Sequence, residues 1–504
     1  MPSSQRITIV GAGACGVAAF AELVTRLQLG RNRDVAIRLI ERTDELGRGL
    51  AFGTDQPGQL LNTESRLMGL LDQEPGDYRR WLARRRAAAG EPFDPDGVEY
   101  SRRSEYRAYM QNVLADAMRA AEAAGVVVEV RHGEAVDIEG RRDDACVVLA
   151  DGTRLPTDYA LLALGTPKPD RFAELRGKPG YFDFPWPSRR LIEGIGRDQE
   201  VVILGSSLSA IDTLMTLLDC GHRGRIRFVS KDGMLPHVEI PAPETGFDRR
   251  HFTLENVHRL RRERGTRFSV VDVFRLFIPE AEEASGGPID WRDADRRGRD
   301  AAPFLFADIA AAESGREPFQ RILTSARHEA SDMWNLLGPL ERKRFAKWLG
   351  PHFSAARFVM PMVNARRVAG AVESGQLSIH GGVDRTRWDE EAGAFETCFN
   401  DGARLSAPVV VNATGTAMKL DEIRYPLVRN LVDRGWLHAH PIGGAQAERA
   451  TCRLVTRDRD APRLYAVGQL LNGVLRDTNS VWFNVGCTAR AVDDMLHRID
   501  ANAP

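Results

Sequence analysis

Three glycines near the amino terminus, Gly11, Gly13 and Gly16, have the spacing G-x-G-x-x-G. In a turn from strand to helix, the first glycine permits the turn, the second lets the backbone approach a pyrophosphate, and the third lets helix and strand pack closely. The helix N-terminus offers free N–H groups and a partial positive charge to the phosphates. Glu41 follows at the distance where an acid accepts a ribose hydroxyl. These residue types predict a dinucleotide-binding turn.

The elements needed to position this turn occur in the required order. The β-branched run at 7–10 predicts a strand, the alanine-rich stretch at 17–24 predicts a helix, and the apolar run at 35–40 predicts a second strand that Glu41 closes. A glycine-rich loop in an unrelated α/β domain is the alternative interpretation. The order of strand, turn, helix, strand and acid favours the dinucleotide site.

A second turn of this kind follows an apolar strand at 200–204. Ser207 replaces the second glycine and Ala210 the third, so a hydroxymethyl group stands where backbone should meet pyrophosphate, and weaker or shifted binding is expected. The next strand, 225–229, ends at Ser230 and Lys231 instead of an acid. A hydroxyl and an ammonium suit a ribose 2′-phosphate, which favours NADPH; a solvated surface charge at Lys231 is the alternative. The predicted contacts with NADPH are Gly205, Ser206, Ser207, Ser209, Ser230, Lys231 and Gly415.

An internal repeat lies on either side of the second turn. Residues 146–165 and 395–415 each contain Asp-Gly, then Arg and Leu, then an apolar run ending in Ala and Gly at the same offsets. Asp-Gly between alternating apolar residues predicts a hairpin, and the run after it predicts a buried strand. One supersecondary unit used twice is expected of two nucleotide-binding domains of the same plan, and chance similarity of two hairpins is the alternative.

Two further segments are candidates for the cofactor site. Residues 47–53 contain three glycines and cannot form a helix interior, so a loop touching the cofactor is predicted, with a plain surface loop as the alternative. Near the carboxyl end, the strand 464–467 with Gly468 and a helix from about residue 481 should return the chain to the first domain and complete its site. The polar residues offered there to a flavin ring or a substrate are Asn472, Thr478, Asn479, Ser480 and Asn484.

The predicted fold class is α/β, with two Rossmann-like dinucleotide-binding domains and a helical insertion in the second. The first domain is expected at 1–195, the second at 196–394 with the insertion at about 237–376, and the return segment at 395–504, whose hairpin and strand to about 415 still belong to the second domain. The apolar helix faces in the insertion are expected to pack in the core. The alternative is that they line an apolar substrate pocket. The insertion also contains Arg357, Arg366 and Arg367, which are candidates to bind an anionic substrate or a cofactor phosphate. The alternative is that they are exposed to solvent.

Composition excludes several classes of function. The net charge of the 504 residues is -1, so neither a nucleic acid nor a membrane is expected as a partner. Six cysteines lie far apart without C-x-x-C, which favours separate thiols in a reducing, cytoplasmic environment. His438 and His440 are close together but lack a third ligand, so no metal site is predicted. The oligomeric state is left open.

Together these segments resemble the bacterial FAD/NAD(P)-binding oxidoreductases with two dinucleotide-binding domains. A branch of that family carries G-x-G-x-x-G, then G-x-G-x-A-[FY]-G, then L-L-N, as at 11–16, 47–53 and 60–62 here. The resemblance implies FAD in the first domain and kinship with flavin monooxygenases that hydroxylate amines and with a urate-hydroxylase-like group. The contacts expected with FAD are Gly11, Gly13, Gly16, Glu41, Arg48, Gly49, Leu61, Asn62, Val136, Gly165 and Gly468. Asn62, Asn472 and Asn484 are the candidates to line its ring.

Three functions follow from the resemblance. The first is an NADPH-dependent flavin monooxygenase that uses molecular oxygen and hydroxylates an amine or an electron-rich heterocycle through a peroxyflavin, chemistry that the cofactor itself supplies. The second is an FAD-dependent reductase or dehydrogenase without oxygen insertion. The third is a non-catalytic FAD- or nucleotide-binding sensor, which the altered second turn allows.

Overall fold

The computed structural model describes residues 5–30, 34–94, 100–240, 247–315 and 317–501. The strands are β1 (Gln5–Val10), β2 (Val35–Glu41), β3 (Val127–His132), β4 (Ala135–Glu139), β5 (Cys146–Leu149), β6 (Arg154–Pro156), β7 (Tyr159–Leu162), β8 (Tyr181–Phe182), β9 (Val201–Leu204), β10 (Ile226–Val229), β11 (Leu377–His380), β12 (Val383–Asp389), β13 (Ala394–Phe399), β14 (Arg404–Ala407), β15 (Val409–Asn412) and β16 (Arg463–Ala466).

The helices are α1 (Ala14–Leu29), α2 (Gly49–Phe52), α3 (Asp77–Ala89), α4 (Arg103–Ala123), α5 (Arg189–Gly194), α6 (Leu208–Asp219), α7 (Leu254–Arg264), α8 (Val270–Ser285), α9 (Ala301–Ser314), α10 (Pro318–Ser325), α11 (Ala330–Leu336), α12 (Pro339–Trp348), α13 (Gly350–Arg357), α14 (Met362–Glu373), α15 (Pro426–Asp433) and α16 (Val481–Ala501). Within the described residues, no helix combines the length and the apolar character needed to cross a membrane.

The chain forms two compact units. The first comprises residues 1–55, 63–168 and 416–504, and the second comprises residues 56–62 and 169–415. Each is built on a five-stranded parallel sheet, in the order β16-β7-β1-β2-β3 in the first unit and β11-β10-β9-β15-β8 in the second. The central strands are buried runs of aliphatic residues because helices cover both faces of such sheets.

The repeated hairpins occupy equivalent places in the two units. β5 and β6 lead into β7, which pairs with β1, and β13 and β14 lead into β15, which pairs with β9. The tight turns are alike in detail: Thr153 N donates to Asp151 Oδ1 at 2.9 Å, and Ala403 N donates to Asp401 Oδ1 at 3.0 Å. The predicted fold class, with two Rossmann-like domains and a helical insertion, is confirmed, since helices α7 to α14 separate β10 from β11.

One local prediction is corrected. The glycine-rich segment 47–53 is not all loop, because Gly49–Phe52 forms the single helical turn α2. Gly47 and Gly49 have φ of +70° and +57°, so the glycines shape the entry to this turn and do not lie in a longer helix.

Candidate functional site

Gly11 stands where β1 turns towards α1. Its φ is +100°, and a Cβ on it would lie 2.4 Å from the carbonyl oxygen of Ala163 at the end of β7. A Cβ on Gly16 would lie 1.8 Å from the carbonyl oxygen of Gly11. Both distances are far inside van der Waals contact, so only glycine allows strand and helix to pack this closely.

Gly13 and Gly49 lie backbone to backbone. A Cβ added to either would lie 3.4 Å from the Cα of the other. Gly13 is the N-cap of α1 without a side-chain cap, and the first turn of α1 contains no acid. Gly47 N also donates to Ala12 O at 2.9 Å, which ties this segment to the glycine turn. The result is a side-chain-free cradle at the positive end of a helix, a place that suits a pyrophosphate.

Glu41 joins the end of β2 to the same turn. Its Oε2 accepts a hydrogen bond from Ala12 N at 2.8 Å, and its Oε1 accepts one from Thr43 N at 3.2 Å. Thr43 Oγ1 also lies 3.3 Å from Oε1. A carboxylate has about four acceptor positions, so these three donors still leave room for a ribose hydroxyl. The partner Ala12 N had no signal in the sequence because it is a backbone atom brought there by the turn.

Gly165 follows β7 of the first sheet, and Val136 lies in β4 of a separate three-stranded sheet, β4-β5-β6. Val136 is the extra residue of a β-bulge, since Ala135 pairs with Leu149 whereas Asp137 pairs with Val148. Gly165 has φ +72°, and a Cβ on it would meet no atom within 4 Å, so the space beside it is open. Gly133 N donates to Glu41 O at 2.9 Å, which sets the start of this hairpin beside the acid predicted to bind a ribose.

Gly468 begins a short 3-10 turn after β16, and its N–H donates to Asn484 Oδ1 at 3.1 Å. The Asn484 Nδ2 donates to the carbonyl oxygens of Thr478 and Ser480, both at 2.9 Å. The Asn484 amide is thus engaged with backbone on both sides and holds the start of α16 against the glycine. Burial raises the pKa of the nearby Cys15 thiol to about 12, so its sulfur stays protonated.

Asn472 differs from Asn484 because one half of its amide has no partner. Its Nδ2 donates to Met418 O at 3.0 Å, whereas its buried Oδ1 has no hydrogen bond within the described residues. The side chain is only 7% exposed. A buried acceptor left unpaired is costly, and it therefore marks a place for a ligand N–H group or a water.

Leu61 and Asn62 belong to the second unit, unlike the other residues predicted to contact FAD. The segment that carries them is fixed there because Gly58 N donates to Asp219 Oδ2 at 2.8 Å and Asn364 Nδ2 donates to Gly58 O at 3.2 Å. Leu61 is buried, and Asn62 is exposed. Arg48 remains in the first unit, where its Nη2 donates to Gly53 O at 3.2 Å.

The turn of the second unit repeats the first in its backbone geometry. Gly205 has φ +116°, and a Cβ on it would lie 2.5 Å from Ala413 O, as a Cβ on Gly11 would lie 2.4 Å from Ala163 O. Gly205 N donates to Val229 O at 2.8 Å, and Gly11 N donates to Ile40 O at 2.8 Å. Gly415 has φ +98° with open space where its Cβ would be.

Serines replace the acid in this second turn. The Ser206 hydroxyl lies 2.6 Å from Met234 O and 2.9 Å from Ser230 Oγ, which also accepts from Gly233 N at 2.9 Å. The single proton of the Ser206 hydroxyl can be accepted by Met234 O or by Ser230 Oγ. The Ser230 oxygen accepts hydrogen bonds within the protein, and this hydroxyl supports the turn.

The remaining residues predicted for this turn present polar groups at its surface. Ser207 is the exposed N-cap of α6, its side chain caps no backbone N–H, and Ser209 lies in the first helical turn. Lys231 is exposed. The structure therefore leaves an available helix N-terminus and an available ammonium on the same edge of the second sheet.

Two of the three arginines predicted for the insertion are paired with protein carboxylates. Arg366 Nη2 lies 2.9 Å from Glu313 Oε1, and Arg367 Nη2 lies 2.6 Å from Asp219 Oδ1. Arg357 packs over the ring of Phe358. Within the ranges that the structure describes, no group of three His, Cys, Asp or Glu side chains is placed to hold a metal.

Residues 8–167 match the family model for FAD-NAD(P)-binding domains. No curated protein matches the sequence. Among solved structures, the fold is similar to ornithine hydroxylase PvdA from Pseudomonas aeruginosa, at TM-score 0.60 and 14% identity over 98% of this chain and 100% of that one. It is also similar to L-lysine 6-monooxygenase from Pseudomonas syringae, at TM-score 0.58 and 15% identity over 98% of this chain and 99% of that one.

A third similar structure is the ornithine N-hydroxylase KtzI from Kutzneria sp. 744, described with reduced FAD, NADP+ and L-ornithine. It has a TM-score of 0.57 and 14% identity over 98% of this chain and 99% of that one. These likenesses extend over nearly the whole length of every chain compared, so they concern both units and the insertion. Residues 8–167 thus match an FAD-NAD(P)-binding domain, within a chain whose fold is similar to that of these three solved structures.

Proposed function

We propose that this chain is an NADPH-dependent flavin monooxygenase that binds FAD in the first unit and NADPH in the second, and hydroxylates a small amine or an electron-rich heterocycle. The observation that carries the proposal is the duplicated turn, with the same backbone contacts at Gly11 and Gly205 but different chemistry at the ends of β2 and β10. A carboxylate ends the first strand, and a hydroxyl and an ammonium follow the second.

The first unit offers FAD the groups that this cofactor requires. Gly13 and Gly49 leave space for a pyrophosphate at the N-terminus of α1, and Glu41 retains acceptor positions for a ribose. The unpaired Oδ1 of Asn472 supplies a buried acceptor for an N–H group of the flavin ring or of the substrate. Bound FAD would supply the acceptance of hydride and the activation of molecular oxygen.

The second unit supports a phosphorylated nicotinamide cofactor. The uncapped N-terminus of α6 suits its pyrophosphate, and the exposed ammonium of Lys231 suits a 2′-phosphate, which a carboxylate would repel. The role of this chain is thus to bind two dinucleotides and to place the substrate. No Ser-His-Asp arrangement is required for that, since the reacting groups belong to the cofactors.

The proposal is tested by purifying the protein and recording its visible spectrum, then following the oxidation of NADPH and NADH under air. A bound flavin, a preference for NADPH, and one atom from labelled molecular oxygen in a hydroxylated amine or heterocycle would support it. Flavin reduction by NADPH without incorporation of labelled oxygen into any product would favour the reductase. A protein that neither contains nor takes up flavin would contradict the proposal altogether.

A further inference from the structure

Helix α15, which lies in the carboxyl-terminal part of the first unit, contacts the strand ends at which the adenosine of FAD is proposed to bind. It packs against β4, the strand that carries the bulge at Val136. Its N-cap residue, Tyr425, donates from its hydroxyl to Thr166 O at 3.2 Å, next to Gly165. The guanidinium of Arg42, which directly follows Glu41, lies over the Tyr425 ring at 5.8 Å from its centroid.

Asn430 forms a hydrogen bond with the bulge residue itself. Its Nδ2 donates to the carbonyl oxygen of Val136 at 2.8 Å. A bulge residue is the least restrained part of a hairpin, because two residues on its strand oppose one on the partner strand. The Asn430 amide therefore fixes a peptide group that strand pairing by itself holds poorly.

A second contact from the same helix holds the next residue of the bulge. Arg434 Nη2 lies 2.5 Å from Asp137 Oδ2, and Asp137 Oδ1 accepts from Ile138 N at 2.8 Å. The Asp137 side of this ion pair is buried, at 7% exposure, whereas the Arg434 side chain is exposed. α15 thus holds both Val136 and Asp137, and the apolar residues Leu427, Val428 and Leu431 bury its other side.

We propose that Asn430 is a positioning residue for the adenosine half of FAD, and that it acts by fixing the Val136 peptide group at the bulge. The inference rests on the proposed function, since it concerns the FAD of the first unit. It assigns to α15 a part in cofactor binding, although this helix carries none of the glycine-turn residues. Arg42, which follows Glu41, packs over the ring of Tyr425 at the start of α15.

The size of the effect follows from the single hydrogen bond that is lost. A net hydrogen bond corresponds to a change of about three- to tenfold in an equilibrium constant. Asn430→Ala removes the donor, and Asn430→Asp keeps the shape but places a carboxylate oxygen against the Val136 carbonyl. The Kd of the deflavinated protein for FAD should rise about three- to tenfold in Asn430→Ala and by more in Asn430→Asp.

The experiment measures FAD binding to deflavinated protein by flavin fluorescence, and ADP binding by competition. A positioning role raises the Kd of FAD and of ADP by similar factors, because both ligands carry the adenosine. Because the lost hydrogen bond also exists in the apoprotein, its thermal midpoint should fall by no more than a few degrees, and the effect on turnover should be smaller at saturating FAD than at limiting FAD. Asp433→Asn is the matched control, since Asp433 is exposed on the same helix.

Three outcomes would count against the inference. If the wild-type protein binds FAD and both Asn430 variants bind it equally well, the inference is overturned and the proposed function stands. If kcat at saturating FAD falls while the Kd of FAD and ADP is unchanged, Asn430 acts elsewhere and the inference is again overturned. If the wild-type protein binds no FAD, both the proposed function and this inference are wrong.

Discussion

Gly13 and Gly49, far apart in sequence, approach so closely that a Cβ on either would touch the Cα of the other at 3.4 Å. Gly13 caps α1, and Gly49 begins α2. The two segments therefore form one cradle whose surface is backbone, with the positive end of α1 at its base. A side chain at either position would occupy the space proposed for the pyrophosphate.

The variant Gly13→Ala tests this cradle. Gly13 has φ -78°, and a contact of 3.4 Å is ordinary van der Waals distance, so the apoprotein should fold with a nearly unchanged thermal midpoint. The Kd for FAD should rise about tenfold or more, because the added methyl group stands where backbone meets phosphate. Fluorescence titration of the apoprotein measures the effect, and unchanged FAD affinity would contradict the assignment.

Gly16→Ala should behave differently. The new Cβ would lie 1.8 Å from the backbone oxygen of Gly11, which cannot move without displacing the turn. We expect a loss of more than about 4 kcal/mol in the free energy of unfolding, seen as poor solubility or a much lower denaturation midpoint. A soluble Gly16→Ala protein with wild-type stability would show that α1 does not pack on the turn as described.

Substitution of Glu41 separates its two roles. Glu41→Ala removes both the acceptor for Ala12 N and the acceptor for ribose, so FAD affinity should fall about 10- to 100-fold. Glu41→Gln keeps a neutral acceptor and should lie between Glu41→Ala and wild type. Equilibrium dialysis with FAD measures both variants, and equal affinity in all three proteins would exclude a role for Glu41 in cofactor binding.

Lys231 should set the preference for NADPH over NADH. Lys231→Ala should raise KM for NADPH about tenfold and leave KM for NADH unchanged, because only NADPH carries the 2′-phosphate. Higher ionic strength should shrink the difference, since Lys231 is exposed. Lys347→Ala, at another exposed lysine, is the control; a parallel change with both cofactors would contradict the assignment.

Ser207→Gly should restore the second glycine of the second turn. Ser207 has φ -98°, so serine is unstrained there. The substitution removes only the exposed hydroxymethyl group. The Kd for NADP+ should fall about threefold to tenfold if this group stands against the pyrophosphate. Isothermal titration measures the change. An increase in Kd would instead make the serine hydroxyl a ligand of the phosphate.

Asp494 should give the first unit a defined sensitivity to acid. Burial raises the pKa of this carboxyl, but the hydrogen bonds from Arg498 Nε at 2.7 Å and Tyr465 Oη at 2.6 Å outweigh burial, and the net shift is downward. A lowered folded-state pKa stabilises the protein above the ordinary Asp value of about 4, and that contribution is lost as the pH falls through the folded-state pKa.

Asp494→Asn should accordingly lower the free energy of unfolding by about 2 kcal/mol at neutral pH. Its deficit relative to wild type should shrink as the pH falls below about 4, where the carboxyl of the unfolded wild-type chain becomes protonated, and should be lost below the folded-state pKa. Urea denaturation at a series of pH values measures both curves. A deficit of constant size at every pH would mean that the charge of Asp494 does not contribute.

The sequence by itself determined the elements whose signals are local. Glycine spacing, β-branched runs and the Asp-Gly hairpins predicted both parallel-sheet units, because each pattern reflects constraints within a few neighbouring residues. The repeat at 146–165 and 395–415 even predicted that β7 and β15 hold equivalent places in their sheets. The segment 47–53 was the exception, since one helical turn is too short to show a helical period.

Only the tertiary structure decided which polar atoms form hydrogen bonds with one another. It engaged the Asn484 amide with backbone, left the Oδ1 of Asn472 without a partner in the described part of the chain, and brought Asn430 to the bulge at Val136. The pairing of Asn430 with Val136 joins residues 294 positions apart, and nothing in the local sequence of these asparagines distinguishes an engaged amide from an available one. They arise when the chain folds back on the sheet, because buried polar groups then require partners that only the assembled core supplies.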